Sequence, residues 1–114
     1  MAEDFYCENV LSGKIEVNII FETADVLAYH HTRPFWETHI VVIPKRHISS
    51  LITMSDTDDE ILSSLFKVIR KVASAVVEEA GAARVLTNLG KYQESKHLHF
   101  HIYSGKRLRD DTAT

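Results

Sequence analysis

The sequence predicts an α+β fold, in which an antiparallel β-sheet of about five strands packs with one long and one short helix. Two observations support this prediction. Short segments rich in β-branched and aromatic residues recur along the chain, and helical segments do not alternate with them. One amphipathic stretch is long enough for a helix of several turns. The 114 residues suit a single domain, which we expect at 1–108, followed by a flexible tail at 109–114.

Composition and charge exclude several classes of function. A hydrophobic share of 45% and a charged share of 25% are typical of globular proteins, and the net charge of −3 argues against binding nucleic acid. No apolar stretch approaches the roughly 20 residues that span a bilayer, so we expect no membrane partner. The acidic N-terminus lacks a secretory pattern, and we expect a cytoplasmic protein. Cys7 is the only cysteine, which excludes an internal disulfide and a cysteine-rich zinc site.

The predicted strands follow a short N-terminal helix at 4–12, where Phe5, Val10 and Leu11 share one side. The segment "HIVVIP" is nearly all apolar, which is typical of a central strand covered on both faces. After the long helix, a further strand leads through a polar loop to a histidine-rich segment. The strands are predicted at 17–22, 26–31, 39–44, 84–89 and in the histidine-rich segment after residue 96.

The long helix is the most strongly predicted element. Thr57 stands three residues before Glu60, which is the spacing of a capping box at a helix start. Gly81 can end the helix in a left-handed conformation. Its apolar face consists of residues at three- and four-residue steps: Ile61, Leu65, Phe66, Ile69, Val72, Ala73, Val76 and Ala80.

Three histidines alternate with apolar residues in "KHLHFHIYSG", residues 96–105. Side chains two apart on a strand point the same way, so His97, His99 and His101 should share one face. The apolar residues between them should pack against the helix. We therefore expect a row of imidazoles that faces a cleft or water.

Such a row has three interpretations. The three could be ordinary surface histidines, although a fourth apolar-flanked histidine, His39, makes this less attractive. They could bind zinc: the outer two lie roughly 13 Å apart along a strand while Zn–N bonds are about 2 Å, so all three could reach one ion only if the strand bends. Two of them together with His39 remain possible ligands. Zinc is thus possible but not favoured, and we expect that no cofactor is required. Alternatively, a neutral central imidazole could attack phosphorus while its neighbours hold the phosphate oxygens.

The segment "HLHFHIY", together with "THIVVIPKRHI" and "VLTNLG" in the same order, resembles the histidine triad (HIT) superfamily. The resemblance covers Phe5 to about Leu108 and is closest to the Hint-like, bacterial branch. It implies α+β homodimers whose sheets join across the interface. It also implies nucleotide binding and reaction at the α-phosphate. By this resemblance His99 is the nucleophile, His97 and His101 contact the phosphate or assist the leaving group, and His39 completes the cluster.

The resemblance also implies binding residues. Asn88 matches an asparagine beside ribose and phosphate, while Tyr29 and Val10 stand where the base pocket is often lined, although ordinary core packing explains both equally well. His31 replaces an aspartate that grips the ribose hydroxyls in many members, and a neutral imidazole cannot accept from both hydroxyls. The loop before the triad, which commonly contacts phosphate, offers Gln93, Glu94 and Ser95.

The sequence thus supports a nucleotide hydrolase or nucleotidyl transferase that cleaves phosphoramidate or polyphosphate conjugates of nucleoside monophosphates through a nucleotidyl-histidine. A nucleotide-binding module without catalysis is the main alternative, and a zinc-dependent hydrolase is a weaker one. We expect a nucleotide or nucleotide conjugate as ligand and a homodimer as the assembly.

Overall fold

Five antiparallel strands form one sheet in the order β1-β2-β3-β5-β4 in the computed structural model, which describes residues 5–109. The predicted α+β fold is confirmed. Residue 4 of the predicted short helix and residues 110–114 of the predicted tail lie outside the described part. No helix among residues 5–109 is long and apolar enough to cross a membrane. The strands are β1 (Ile19–Glu22), β2 (Val26–His30), β3 (Trp36–Pro44), β4 (Arg84–Leu86) and β5 (Phe100–Arg107).

The long helix α1 spans Asp59–Ala80 and ends at Gly81, whose φ of 90° allows the left-handed cap that the sequence predicted. Its start differs from the prediction. The capping box joins Ser55 and Asp58, not Thr57 and Glu60, because a 3₁₀ turn at Asp56–Asp58 precedes the helix and moves the capping group one turn earlier. Further short 3₁₀ turns lie at Leu51–Thr53 and Gly90–Tyr92.

Helix α1 covers one face of the sheet with its apolar side. Each side chain buried there stabilises the fold by roughly 1.5–3 kcal/mol relative to its exposed state. Phe66, which the periodicity assigned to this face, is 39% exposed, while Val68 takes a buried place instead. The interface consists of Leu65, Val68, Ile69, Val72 and Val76 from α1 and of Val26, Ala28, Ile40, Val42, Leu98, Phe100 and Ile102 from below it.

The opposite face of the sheet is covered by the N-terminal helical turn, Tyr6–Val10. This turn is wider than an α-helical turn, because the Leu11 N–H donates to the Tyr6 carbonyl five residues back. Consequently Tyr6 and Val10 are its buried residues, while Phe5 and Leu11, which the sequence put on one side with Val10, are partly buried against the same cluster. The turn packs on a second apolar cluster formed by Leu27, Tyr29, Val41 and Ile43.

Candidate active site

The histidine row is buried, not exposed to a cleft or to water as the alternation suggested. Strand β5 begins at Phe100, so only His101 lies within it, and His97 and His99 precede it on irregular chain. Their exposed fractions are 0% for His97, 1% for His99 and 0% for His101. The N-terminal turn covers two of them, because the Tyr6 ring lies 4.9 Å from the His99 ring and 5.8 Å from the His97 ring. The His101 ring packs against the rings of His31 and His39. The prediction that the intervening residues pack under α1 is confirmed.

The orientation of His99 is set by backbone groups. Its Nδ1 lies 2.7 Å from the His97 carbonyl oxygen, which can only accept, so Nδ1 carries the proton. In the neutral ring, Nε2 therefore bears the lone pair. The carbonyl of His99 itself accepts from the Thr87 hydroxyl at 2.7 Å. Thr87 was not among the residues predicted at the site, although it directly precedes the candidate Asn88.

A second set of hydrogen bonds fixes the tautomers of His39 and His101. The Phe35 backbone N–H donates to His39 Nδ1 at 3.0 Å, so the proton of neutral His39 is on Nε2. That Nε2 lies 2.9 Å from His101 Nδ1, which must then accept. His101 accordingly carries its proton on Nε2. The Phe35 amide thus determines the tautomers of two imidazoles, a role that no sequence motif signals.

His97 is engaged at both ring nitrogens. Its Nε2 donates to the Pro44 carbonyl at 2.8 Å, and its Nδ1 faces the Cys7 sulfur at 3.4 Å. The exposed His47 ring packs edge-on at 5.3 Å. Protein groups therefore fix the ring of His97. The main contribution of this residue to the site is its backbone carbonyl, which orients the His99 ring.

Among residues 5–109, two groups of side chains lie close enough to hold a metal ion. Cys7, His47 and His97 fit the chemistry, because His97 Nδ1 has a lone pair towards Cys7 and its Nε2–H bonds a carbonyl, as metal-bound histidines usually do. The second group is formed by His31, His39 and His101. It does not fit, since the tautomers put the protons of His31 and His39 on Nε2 and the two rings are stacked.

His31 follows β2 directly and stacks on His39 at a centroid distance of 4.2 Å. The Arg33 N–H donates to its Nδ1 at 3.0 Å. The pKa of His31 is lowered to about 4, chiefly by burial and to a lesser extent by the nearby His99 and Arg109, while the bond from Arg33 acts in the opposite direction. Burial and the neighbouring His31 lower the pKa of His39 to about 3. Both rings are neutral at pH 7.

The three loop residues predicted at the site, Gln93, Glu94 and Ser95, lie in different surroundings. Gln93 is buried and its side-chain nitrogen donates to the carbonyls of Ser49 and Ser95, which anchors the loop. Glu94 is exposed, and the buried Ser95 hydroxyl has no hydrogen-bond partner within the described residues. Asn88 is half-buried just after β4 and adjoins Thr87.

The two candidates for a base pocket are packed in the second apolar cluster. Tyr29 is 1% exposed, so core packing describes it in this structure. Val10 is also buried but borders a surface cavity of about 490 Å³. The cavity lies beside the N-terminal turn and is lined chiefly by apolar residues, including Leu11, Ile15 and Leu27.

The lowered pKa values predict acid sensitivity. The unfolded chain protonates these histidines near pH 6.5, whereas folded His31 stays neutral down to about pH 4, so the stabilisation is present above pH 6.5 and is lost as the pH falls. In that interval, each of these histidines lowers the free energy of unfolding by at most about 1.4 kcal/mol for each unit by which the pH falls. Urea unfolding between pH 7 and pH 5 should show a smaller loss for His31→Gln than for the parent. His30→Gln, at the exposed neighbouring position, is the control; equal losses in all three proteins would contradict the assignment.

Comparison with known proteins identifies the family of the chain. The HIT domain profile matches residues 12–108. A HIT-like protein of Azospirillum brasilense is 36% identical over 106 residues, which cover 87% of this chain and 84% of that protein. A histidine triad protein from Clostridium difficile has a similar structure, with a TM-score of 0.77, 36% identity and 94% of both chains covered. A structure described as a HIT family hydrolase, from Legionella pneumophila, gives a TM-score of 0.78 at 29% identity, with 91% and 94% covered. The chain belongs to the HIT domain family.

Proposed function

We propose that the protein is a nucleotide hydrolase or nucleotidyl transferase that forms a covalent bond between His99 and the α-phosphate of a nucleoside monophosphate conjugate. The observation that supports this most is the bond from His99 Nδ1 to the His97 carbonyl. It directs a neutral Nε2 lone pair away from the backbone, as a nucleophile requires. The similar structure described as a HIT family hydrolase supports the reaction class.

The reaction has two displacements. In the first, His99 Nε2 attacks the α-phosphorus, a P–N bond forms, and the bond to the leaving group breaks with its electron pair. The new imidazolium keeps its Nδ1–H on the His97 carbonyl, which stabilises the positive charge. In the second, water attacks phosphorus and the electron pair returns to Nε2. The proton that water releases balances the one that the leaving group takes up.

The neighbouring imidazoles serve as fixed donors. His101 presents Nε2–H as a neutral donor, because His39 donates to its other nitrogen and the Phe35 amide prevents His39 from reversing that bond. A pre-oriented N–H stabilises the charge on phosphate oxygens without reorganising during reaction. We assign His101 to this contact, while His39 acts as a positioning residue.

Access to His99 requires movement of the N-terminal turn. His99 is 1% exposed and the Tyr6 ring lies over it, so a phosphate cannot reach Nε2 while that ring stays in place. Displacing Tyr6 costs only part of the small second cluster and leaves the core under α1 intact. We infer that substrate replaces Tyr6 over the triad.

The two alternative functions assign different roles to the same residues. A non-catalytic binding module needs no lone pair on His99. A zinc-dependent hydrolase would place the ion at Cys7, His47 and His97, since the other histidine group has the wrong tautomers. Such an ion would use the His97 nitrogen facing Cys7 and leave the His99 lone pair available.

The decisive variant is His99→Ala. Incubation of the parent with adenosine 5′-phosphoramidate, followed by acid quench and mass spectrometry, should detect an adenylyl group on His99. His99→Ala should lose turnover by a factor of about 10³ or more because the covalent route is gone, while circular dichroism stays unchanged. His30→Ala, on the helix side of the sheet, is the matched histidine control. Full activity of His99→Ala would exclude the mechanism; tight binding without product in the parent would favour the binding module, and loss of activity on chelation the zinc enzyme.

We further propose a homodimer that joins sheets along β4. Strand β4 is one edge of the sheet, and Val85 on it is 44% exposed. It borders an apolar surface shared with Ala73 and Val77 of α1. The other edge, β1, carries an irregular register between Ile19 and Phe21, a feature that discourages edge pairing.

Sedimentation velocity tests this interface. The parent should sediment as a dimer, and Val85→Lys should shift it to monomer because two lysines would face each other across an apolar contact. Ile52→Lys, at a residue that is 69% exposed elsewhere on the surface, should leave the dimer unchanged. A monomeric parent, or a Val85→Lys protein that remains fully dimeric, would contradict the assignment.

A further inference from the structure

A line of imidazole rings leads from the nucleophile to the protein surface. Ring centroids are 5.1 Å apart for His99 and His101, 5.0 Å for His101 and His39, and 4.2 Å for His39 and His31. The first members are buried, and the last, His31, is half-exposed at the rim. A substrate whose phosphorus is at His99, and which extends along this line past His101, would meet His31 with a neighbouring part of the molecule.

His31 offers a donor at this rim and no acceptor. The Arg33 backbone N–H occupies Nδ1, so the remaining proton is on Nε2. A group that itself donates, such as a pair of sugar hydroxyls, finds no acceptor on that nitrogen. An oxygen that accepts, such as one of a phosphate, finds a suitable partner.

A positive charge lies beside His31, although the protein as a whole carries a formal charge of −3. The Arg109 guanidinium lies over the Phe35 ring at 5.8 Å, and the edge of that ring meets His31, also at 5.8 Å. The Arg109 Nε–H donates to the Pro34 carbonyl, which holds the guanidinium at this place. Its charge is close enough to lower the pKa of His31.

We propose that His31 and Arg109 form a subsite for a second anionic group of the substrate, namely a phosphate ester on the sugar of the nucleotide. This inference rests on the proposed function, which positions the first phosphate at His99. The neutral His31 N–H donates to a phosphate oxygen, and the Arg109 guanidinium balances part of its charge. The favoured substrate class is then a nucleoside 5′-phosphate conjugate that is also phosphorylated on the 2′ or 3′ oxygen.

The subsite explains why a histidine suits this position. An aspartate would accept hydrogen bonds from two free hydroxyls and would repel a phosphate. His31 reverses both preferences, because it gives one donor and carries no negative charge. Its stacking on His39 also connects the subsite to the tautomer chain that orients His101.

Calorimetry on the His99→Ala protein tests the subsite without consuming ligand. The probes are AMP and adenosine 3′,5′- and 2′,5′-bisphosphate. We expect one bisphosphate to bind about tenfold or more tightly than AMP, as a charge-assisted contact of this kind provides. Adding His31→Asp should abolish this advantage and strengthen AMP binding. Adding Arg109→Gln should reduce the advantage, whereas Arg70→Gln, on α1, is the matched charge control and should keep it.

The outcomes separate this inference from the proposed function. Equal or weaker binding of both bisphosphates relative to AMP overturns the subsite, and so does a preference that survives His31→Asp. An equal loss in Arg109→Gln and Arg70→Gln shows general electrostatic attraction and also overturns it. Formation of adenylyl-His99 in the parent is measured independently, so the covalent mechanism can stand when the subsite fails.

Discussion

The bond from His99 Nδ1–H to the His97 carbonyl is the interaction on which the site depends. It determines which nitrogen of His99 has a lone pair, and it exists because the chain runs irregularly before β5 begins at Phe100. In a regular strand, a carbonyl two residues back would be directed towards a neighbouring strand. In this irregular segment, the Thr87 hydroxyl donates a hydrogen bond to the His99 carbonyl.

Burial strengthens these hydrogen bonds and also keeps two of the histidines neutral. In a medium of low dielectric constant, protonating an imidazole is costly, so His39 and His31 remain neutral at pH 7. Neutral rings have one donor and one acceptor each, and the Phe35 amide then assigns both roles along His39 and His101. The same burial leaves His99 beneath the Tyr6 ring, so the proposed reaction requires the N-terminal turn to move.

The sequence was sufficient for the fold, but not for the geometry around the histidines. Periodicity identified α1, and the apolar residues that separate the histidines do pack under it, since both depend on local patterns. Tyr6, which covers His97 and His99, lies some ninety residues away in the chain, so alternation could not reveal their burial. The roles of Phe35 and Thr87 come from a backbone amide and a hydroxyl for which no residue pattern is specific. Gln93 was expected at the substrate, but its amide holds backbone carbonyls in the loop.

The central claim concerns the proton positions on His99 and His101, and long-range ¹H–¹⁵N correlation spectra of ¹⁵N-histidine-labelled protein at pH 7 observe these directly. The account predicts that His99 carries its proton on Nδ1 with an unprotonated Nε2, and that His101 carries its proton on Nε2. Assignment follows from the His99→Ala and His101→Gln proteins. A proton on Nε2 of His99, or a doubly protonated His99 at this pH, would contradict the account, because no lone pair would then be available to attack phosphorus.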